Sequence, residues 1–143
     1  MLQYGTGIRT INTYLNSTAL EIKTTLANKT RVLEFGFSQF VATASVFGLG
    51  RSSSVGVSPL FTQNFIDEGD GTAAPSQTVV AVAWGVMPGV PANYNRRVST
   101  IANIGAGAIY IFPRGFAIPS NASLCLFNIT ANAVIDVYAV IDE

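Results

Sequence analysis

The densest set of groups in this chain that could do chemistry is Asp67-Glu68-Gly69-Asp70-Gly71. Its clustered carboxylates could offer oxygens to a hard cation such as calcium. The spacing argues otherwise, because an EF-hand places its ligands at alternate positions and closes on a distal Glu. A solvated acidic loop is the expectation. Arg96 and Arg97, with Arg51 and Arg114, could form a basic patch. In a chain whose eight basic and eight acidic residues cancel, arginines on separate loops are expected in local ion pairs instead. Trp84, Tyr94, Tyr110 and Phe116 could stack on sugar rings in a lectin-like groove, but Trp84 sits in the most apolar run of the chain and reads as core.

The absence of histidine removes the Ser-His-Asp triad, the commonest zinc ligands and the usual general base near neutral pH. The acids are either gathered in the Gly-rich loop or alternate with bases along a strand, as Glu21 does with Lys23, and neither arrangement sets up an acid and base pair. The expectation is a protein that is not an enzyme and uses no cofactor and no metal. A single cysteine, Cys125, excludes an internal disulfide; flanked by apolar residues and far from any cation in sequence, it reads as a small buried hydrophobe. Asn-x-Ser/Thr triplets at Asn16, Asn28, Asn121 and Asn128 read as composition rather than as glycan acceptors.

At 143 residues the chain suits one domain with a real core. Charged residues are 11% of it, where a soluble domain usually carries about 25%. Its surface must therefore be built from Ser, Thr, Asn and Gly together with apolar patches, which a free monomer tolerates poorly. An assembled state is expected. Zero net charge gives no field to attract nucleic acid or anionic lipid, so neither is expected as a partner. No basic n-region followed by an apolar stretch opens the chain, so no secretory leader is expected. No apolar run approaches the roughly 20 residues of a membrane helix.

Residues 1–16 hold no period, and with Gly5 and Gly7 they read either as a loosely packed N-terminus or as an extended arm lying on a neighbouring subunit, with the arm taken as the expectation. Its contact residues would be Leu2, Tyr4, Ile8, Arg9, Ile11, Tyr14 and Leu15. Residues 17–143 then form a single domain. Within it, residues 18–24 alternate apolar and charged, as a half-exposed surface strand does. Leu33, Phe35 and Phe37 line one face of the next strand, and the Val-rich run at 79–86 reads as a central strand. Two apolar runs at 124–129 and 134–141, joined by a short polar link, read as a hairpin of adjacent strands buried in protein. About eight or nine short strands between turn signals, with no amphipathic helix, predict an antiparallel β-sandwich, with the jelly roll as first choice.

The segment at 112–128 contains Ile118-Pro119, a few small residues, and then Leu124-x-Leu126-x-Asn128, and a Val/Ile/Tyr-rich final strand follows it. It resembles the end of small jelly-roll proteins of tailed bacteriophages, above all the capsid decoration, or cement, proteins. The resemblance implies a homo-oligomer, typically a trimer, seated over junctions between hexamers of the major capsid protein. It also implies a place on the virion surface after synthesis in the host cytoplasm. It carries over no functional residue. The alternative is a carbohydrate- or receptor-binding module of a head fibre or tail.

Overall fold

Short runs rich in Val, Ile, Phe and Thr, separated by Gly, Pro, Ser and Asn clusters, favour the strand over the helix throughout the chain. The computed structural model describes residues 2–11, 17–130 and 133–143, and among these it contains eleven strands and no helix. They are β1 (Gln3–Arg9), β2 (Ser17–Lys23), β3 (Thr30–Gln39), β4 (Ser45–Arg51), β5 (Val57–Asn64), β6 (Ile66–Asp67), β7 (Val79–Val86), β8 (Arg96–Thr100), β9 (Gly107–Ile118), β10 (Ser123–Asn128) and β11 (Ile135–Asp142). Two antiparallel sheets result, one of five strands in the order β6-β1-β11-β3-β9 and one of six in the order β5-β7-β2-β10-β4-β8. The protein is an all-β, two-sheet antiparallel sandwich.

The core lies between the sheets. Leu20, Ile22, Phe47, Leu49, Leu124 and Leu126 enter it from the six-stranded sheet, and Val32, Phe35, Phe37, Ile135, Val137 and Ile141 from the five-stranded one. The rings of Phe37 and Phe47 meet across the gap at 4.9 Å. Each fully buried side chain of this size contributes about 1.5–3 kcal/mol through the apolar area it removes from water.

Three expectations are corrected. The runs at 124–129 and 134–141 are not a hairpin: β10 is an interior strand of the six-stranded sheet and β11 of the five-stranded one, so the chain between them crosses the sandwich. An apolar run shows that a strand is buried without showing which neighbours it takes. The strand at 18–24 is not on the surface: β2 lies between β7 and β10, and the Glu21 side chain is fully buried. Of residues 1–16, Gln3–Arg9 is strand β1 of the sandwich itself, in unbroken register with β11 from Gln3↔Asp142 to Arg9↔Asp136, and Tyr4 joins the core. Main-chain pairing needs no side-chain period, which is why the sequence of this segment hides a strand.

Candidate functional site

The outer face of the six-stranded sheet is built around a charge. Register places Glu21, Cys125 and Gly50 in one row across β2, β10 and β4, on the side opposite the core residues Leu20, Ile22, Leu124 and Leu126. All three are nevertheless buried, because the segments at 52–56 and 88–95 fold over them. The two segments are tied together by Ser53 N–H to Gly89 O (3.0 Å) and Gly89 N–H to Ser54 O (3.1 Å). They are tied to the sheet by Thr18 Oγ1–H to Pro88 O (3.1 Å) and Asn95 N–H to Leu49 O (2.8 Å).

Beneath them, Glu21 Oε1 accepts from Trp84 Nε1–H (2.9 Å) and Oε2 from Gly56 N–H (2.9 Å), while Lys23 Nζ donates to Gly56 O (2.9 Å). A buried carboxylate is tolerable only when its oxygens are satisfied in this way. Tyr94 lies flat on Gly48, where a Cβ would stand 2.5 Å from a ring carbon, and packs against Phe127 at 5.6 Å between centroids. Burial first, and then Glu21, pushes the Cys125 thiol well up, so the thiolate form is suppressed and the thiol inert.

The outer face of the five-stranded sheet is barer, with the Glu68 side chain passing over Gly5 at one edge. Ile135, Val137, Ala139 and Ile141 of β11 face the core, and Asp136, Tyr138 and Val140 face out. Register then fixes three rows across the sheet: Ile66, Gly5, Val140, Glu34 and Ile111; Gly7, Tyr138, Gly36 and Ile109; Arg9, Asp136, Ser38 and Gly107. Ile109 and Ile111 are 63% and 68% exposed. Tyr138 lies across Gly36, where a Cβ would stand 2.2 Å from its ring; desolvation and then the neighbouring Glu34 push its phenol up.

The Arg9 guanidinium meets the Asp136 carboxylate as a fork, Nε to Oδ1 at 2.6 Å and Nη2 to Oδ2 at 3.0 Å, and stands 3.8 Å over the Phe40 ring. Its hydrogen bond, and to a lesser degree its charge, hold Asp136 below the usual carboxylate range against the opposing effect of burial. The total accessible surface, 6964 Å², is close to the roughly 7,100 Å² expected for a monomer of this mass. What distinguishes the face is therefore its exposed Ile66, Ile109 and Ile111, set beside Glu34 and the mutually paired Arg9 and Asp136, and not an excess of area.

At the β8–β9 edge the structure gathers arginines. Arg96 stands 5.5 Å from the Phe112 centroid and Arg51 4.3 Å from that of Phe116, and the two rings meet edge to face at 5.4 Å. Arg114 shares a surface hollow of 450 Å³ with Arg96 and these rings. Arg51 Nη2 donates to Ala117 O (2.8 Å) and Arg31 Nη1 to Arg114 O (2.9 Å). Local ion pairs were expected for Arg51, Arg96, Arg97 and Arg114; among the described residues the ion pair is Arg9–Asp136, and these four make none.

The aromatic residues considered for a sugar groove are not brought together. Trp84 is engaged by Glu21, Tyr94 is packed between Gly48 and Phe127, Tyr110 is partly buried beside the core, and one face of Phe116 is taken by Arg51. The acidic loop binds its own backbone: Asp67 accepts from Gly69 N–H (2.9 Å) and Asp70 from Thr72 N–H (3.0 Å). Among the described residues no three of His, Cys, Asp and Glu are placed to share a metal.

Of the proposed arm contacts, Leu2, Arg9 and Ile11 are exposed, Ile8 packs partly against the core, and Tyr4 is 6% exposed within it. Tyr14 and Leu15 lie outside the described residues. Sequence reasoning missed the clasp at Glu143. Its carboxylate takes hydrogen bonds from Ser76, from Thr78 Oγ1 (2.9 Å), from Asn28 Nδ2 (3.0 Å) and from Gln77 N–H (3.3 Å). Burial pushes this carboxyl up, but the bonds from Ser76, Thr78 and the backbone outweigh it and hold it below its ordinary range.

With this geometry in hand, comparison with known proteins adds no relative: no family model matches the chain, and neither a curated protein nor a solved structure is detectably similar to it.

Proposed function

We propose that this chain is a non-enzymatic structural protein of a phage virion, which binds the outside of the capsid and stabilises contacts between capsomers. The observation that carries the reading is the contrast between the outer faces. One is covered by the chain's own loops along its central row of Glu21, Cys125 and Gly50, and the other presents Ile66, Val140, Tyr138, Ile109 and Ile111 uncovered, beside Glu34 and the paired Arg9 and Asp136. A face of this kind is suited to burial against another protein.

The strand order supports the jelly roll. With β5, β6 and β7 set aside as an insertion, the sheets read β1-β11-β3-β9 and β2-β10-β4-β8, the interleaving that two nested Greek keys produce, and one shared by viral capsid domains. The protein would act as a homo-oligomer, a trimer by the resemblance of its C-terminal third, with the bare face on the major capsid protein. Contact of roughly 800 Å² per partner is enough for specific attachment. Binding to the assembled shell then stabilises that state by mass action.

The test is co-sedimentation with shells of the major capsid protein of the same virus, using wild type and the double variant Ile109→Glu, Ile111→Glu. Wild type should sediment with shells and raise their resistance to denaturant, and the variant should stay in the supernatant. Absence of wild-type binding, or selective retention on a glycan array in its place, would reject the reading.

A further inference from the structure

We propose that the arginine edge of one copy receives the acidic loop of a second copy, so that the chain associates with itself head to tail. In the sheet orders β9 and β8 end one side of the sandwich, and β6 and β5 end the other. The arginines Arg51, Arg96 and Arg114 gather at the first side, and Asp67 at the end of β6, with Glu68 and Asp70 after it, lies at the second. Among the described residues none of these six groups makes an ion pair. A single copy cannot bring its two sides together, whereas two copies can.

Both surfaces are held in place. Arg51 is anchored on Ala117 O and stacked on Phe116, Arg96 leans on Phe112, and stacked guanidinium groups keep donors free for carboxylates. On the other side, Asp67 and Asp70 are fixed by backbone N–H groups while their carboxylates keep unused lone pairs. Nucleic acid is the less suitable occupant. The chain has no net charge to draw a polyanion, and Phe112 and Phe116 are packed on each other and faced by arginines where a base would have to stack. The contact is heterologous, since different surfaces of the two copies meet, so it propagates until a ring closes. It does not depend on what the bare sheet face binds, because the isolated protein tests it.

The experiment uses two charge-reversed chains, Arg96→Glu with Arg114→Glu, and Glu68→Lys with Asp70→Lys, all at exposed positions. Sedimentation equilibrium of wild type should show oligomers whose apparent dissociation constant rises about tenfold or more between about 50 and 500 mM salt. Each variant alone should be monomeric. Mixed one to one they should associate again, because every reversed edge then faces a reversed loop and every native edge a native loop. A wild type that stays monomeric at low salt, or variants that associate as wild type does, would overturn the proposal. So would self-association unchanged in the Arg96, Arg114 variant while that variant alone loses binding to a single-stranded oligonucleotide.

Discussion

Each sheet of the sandwich lays a tyrosine across a glycine, and the two pairs behave differently. Tyr94 is pressed on Gly48 by a loop that is hydrogen-bonded to the sheet and backed by Phe127, whereas Tyr138 rests on Gly36 with solvent above it. The same local device is part of a sealed structure on one face and part of an open surface on the other. Both rings are half-buried, but the loop that carries Tyr94 is tied to the sheet and leaves that ring nowhere to go, whereas Tyr138 can swing aside. The cover also needs a partner inside the sheet, and Glu21 supplies it, while Glu34 on the opposite face holds nothing down by a comparable set of bonds.

The comparison breaks if the two faces respond alike to matched changes. The largest difference is expected at the carboxylates. Glu21→Ala removes the acceptor of Trp84 Nε1–H and Gly56 N–H, two hydrogen bonds to a charged group, and should lower stability by about 3 kcal/mol or more. Glu34→Ala should stay within about 0.5 kcal/mol. Urea unfolding midpoints at equal slope measure both; equal losses would mean that Glu21 does not hold the cover.

Next come the glycines. Gly48→Val forces a pinned ring out of a packed site and should cost about 2 kcal/mol. Gly36→Val should cost less than about 1 kcal/mol, since Tyr138 can rotate into solvent and Val suits a strand. Near-ultraviolet circular dichroism should change for the first variant even where it remains folded.

Glu143 sharpens the comparison from another side, because its clasp joins the end of β11 in one sheet to the segment that leads into β7 in the other. Its folded-state pKa is depressed. The stability it contributes is therefore complete above the unfolded value of about 4.3 and is lost as pH falls through the lower folded value. Glu143→Gln should flatten that acid limb and leave the neutral-to-alkaline side of the stability profile in shape. The smallest effect belongs to the bare face: Ile109→Ser with Ile111→Ser should alter the unfolding free energy by no more than about 1 kcal/mol. A large loss would show that this face is already part of the fold's own packing.

The all-β class, the core face of Leu33, Phe35 and Phe37 in part, and the central strand at 79–86 were legible because period and β-branched content are local properties. Pairing is not local, and this is where reading failed. The link between β10 and β11 has the composition of a hairpin turn, yet it spans the two sheets, since turn residues specify a change of direction and not a partner. Glu21 and Lys23 look like the outward side of a surface strand; what buries them, Gly56 and Trp84, lies more than thirty and sixty residues away. Gly5 and Gly7 suggested a loose arm, but Glu68 passes over Gly5 and β11 pairs with both. The arginines were noted individually, and only the return of β9 beside β8 gathers them without carboxylates.

The placement of β10 and β11 also fixes an order of events during synthesis. These two strands emerge after all the others of the sandwich, yet each is the interior strand that joins earlier ones: β11 lies between β1 and β3, and β10 between β2 and β4. Until they are made, β1, β2, β3 and β4 can pair on one side only, with β6, β7, β9 and β8, and closing Gln3 onto Asp142 requires the whole intervening chain. Neither sheet is therefore continuous until its late central strand is inserted, and the fold forms slowly, as a topology of distant contacts must.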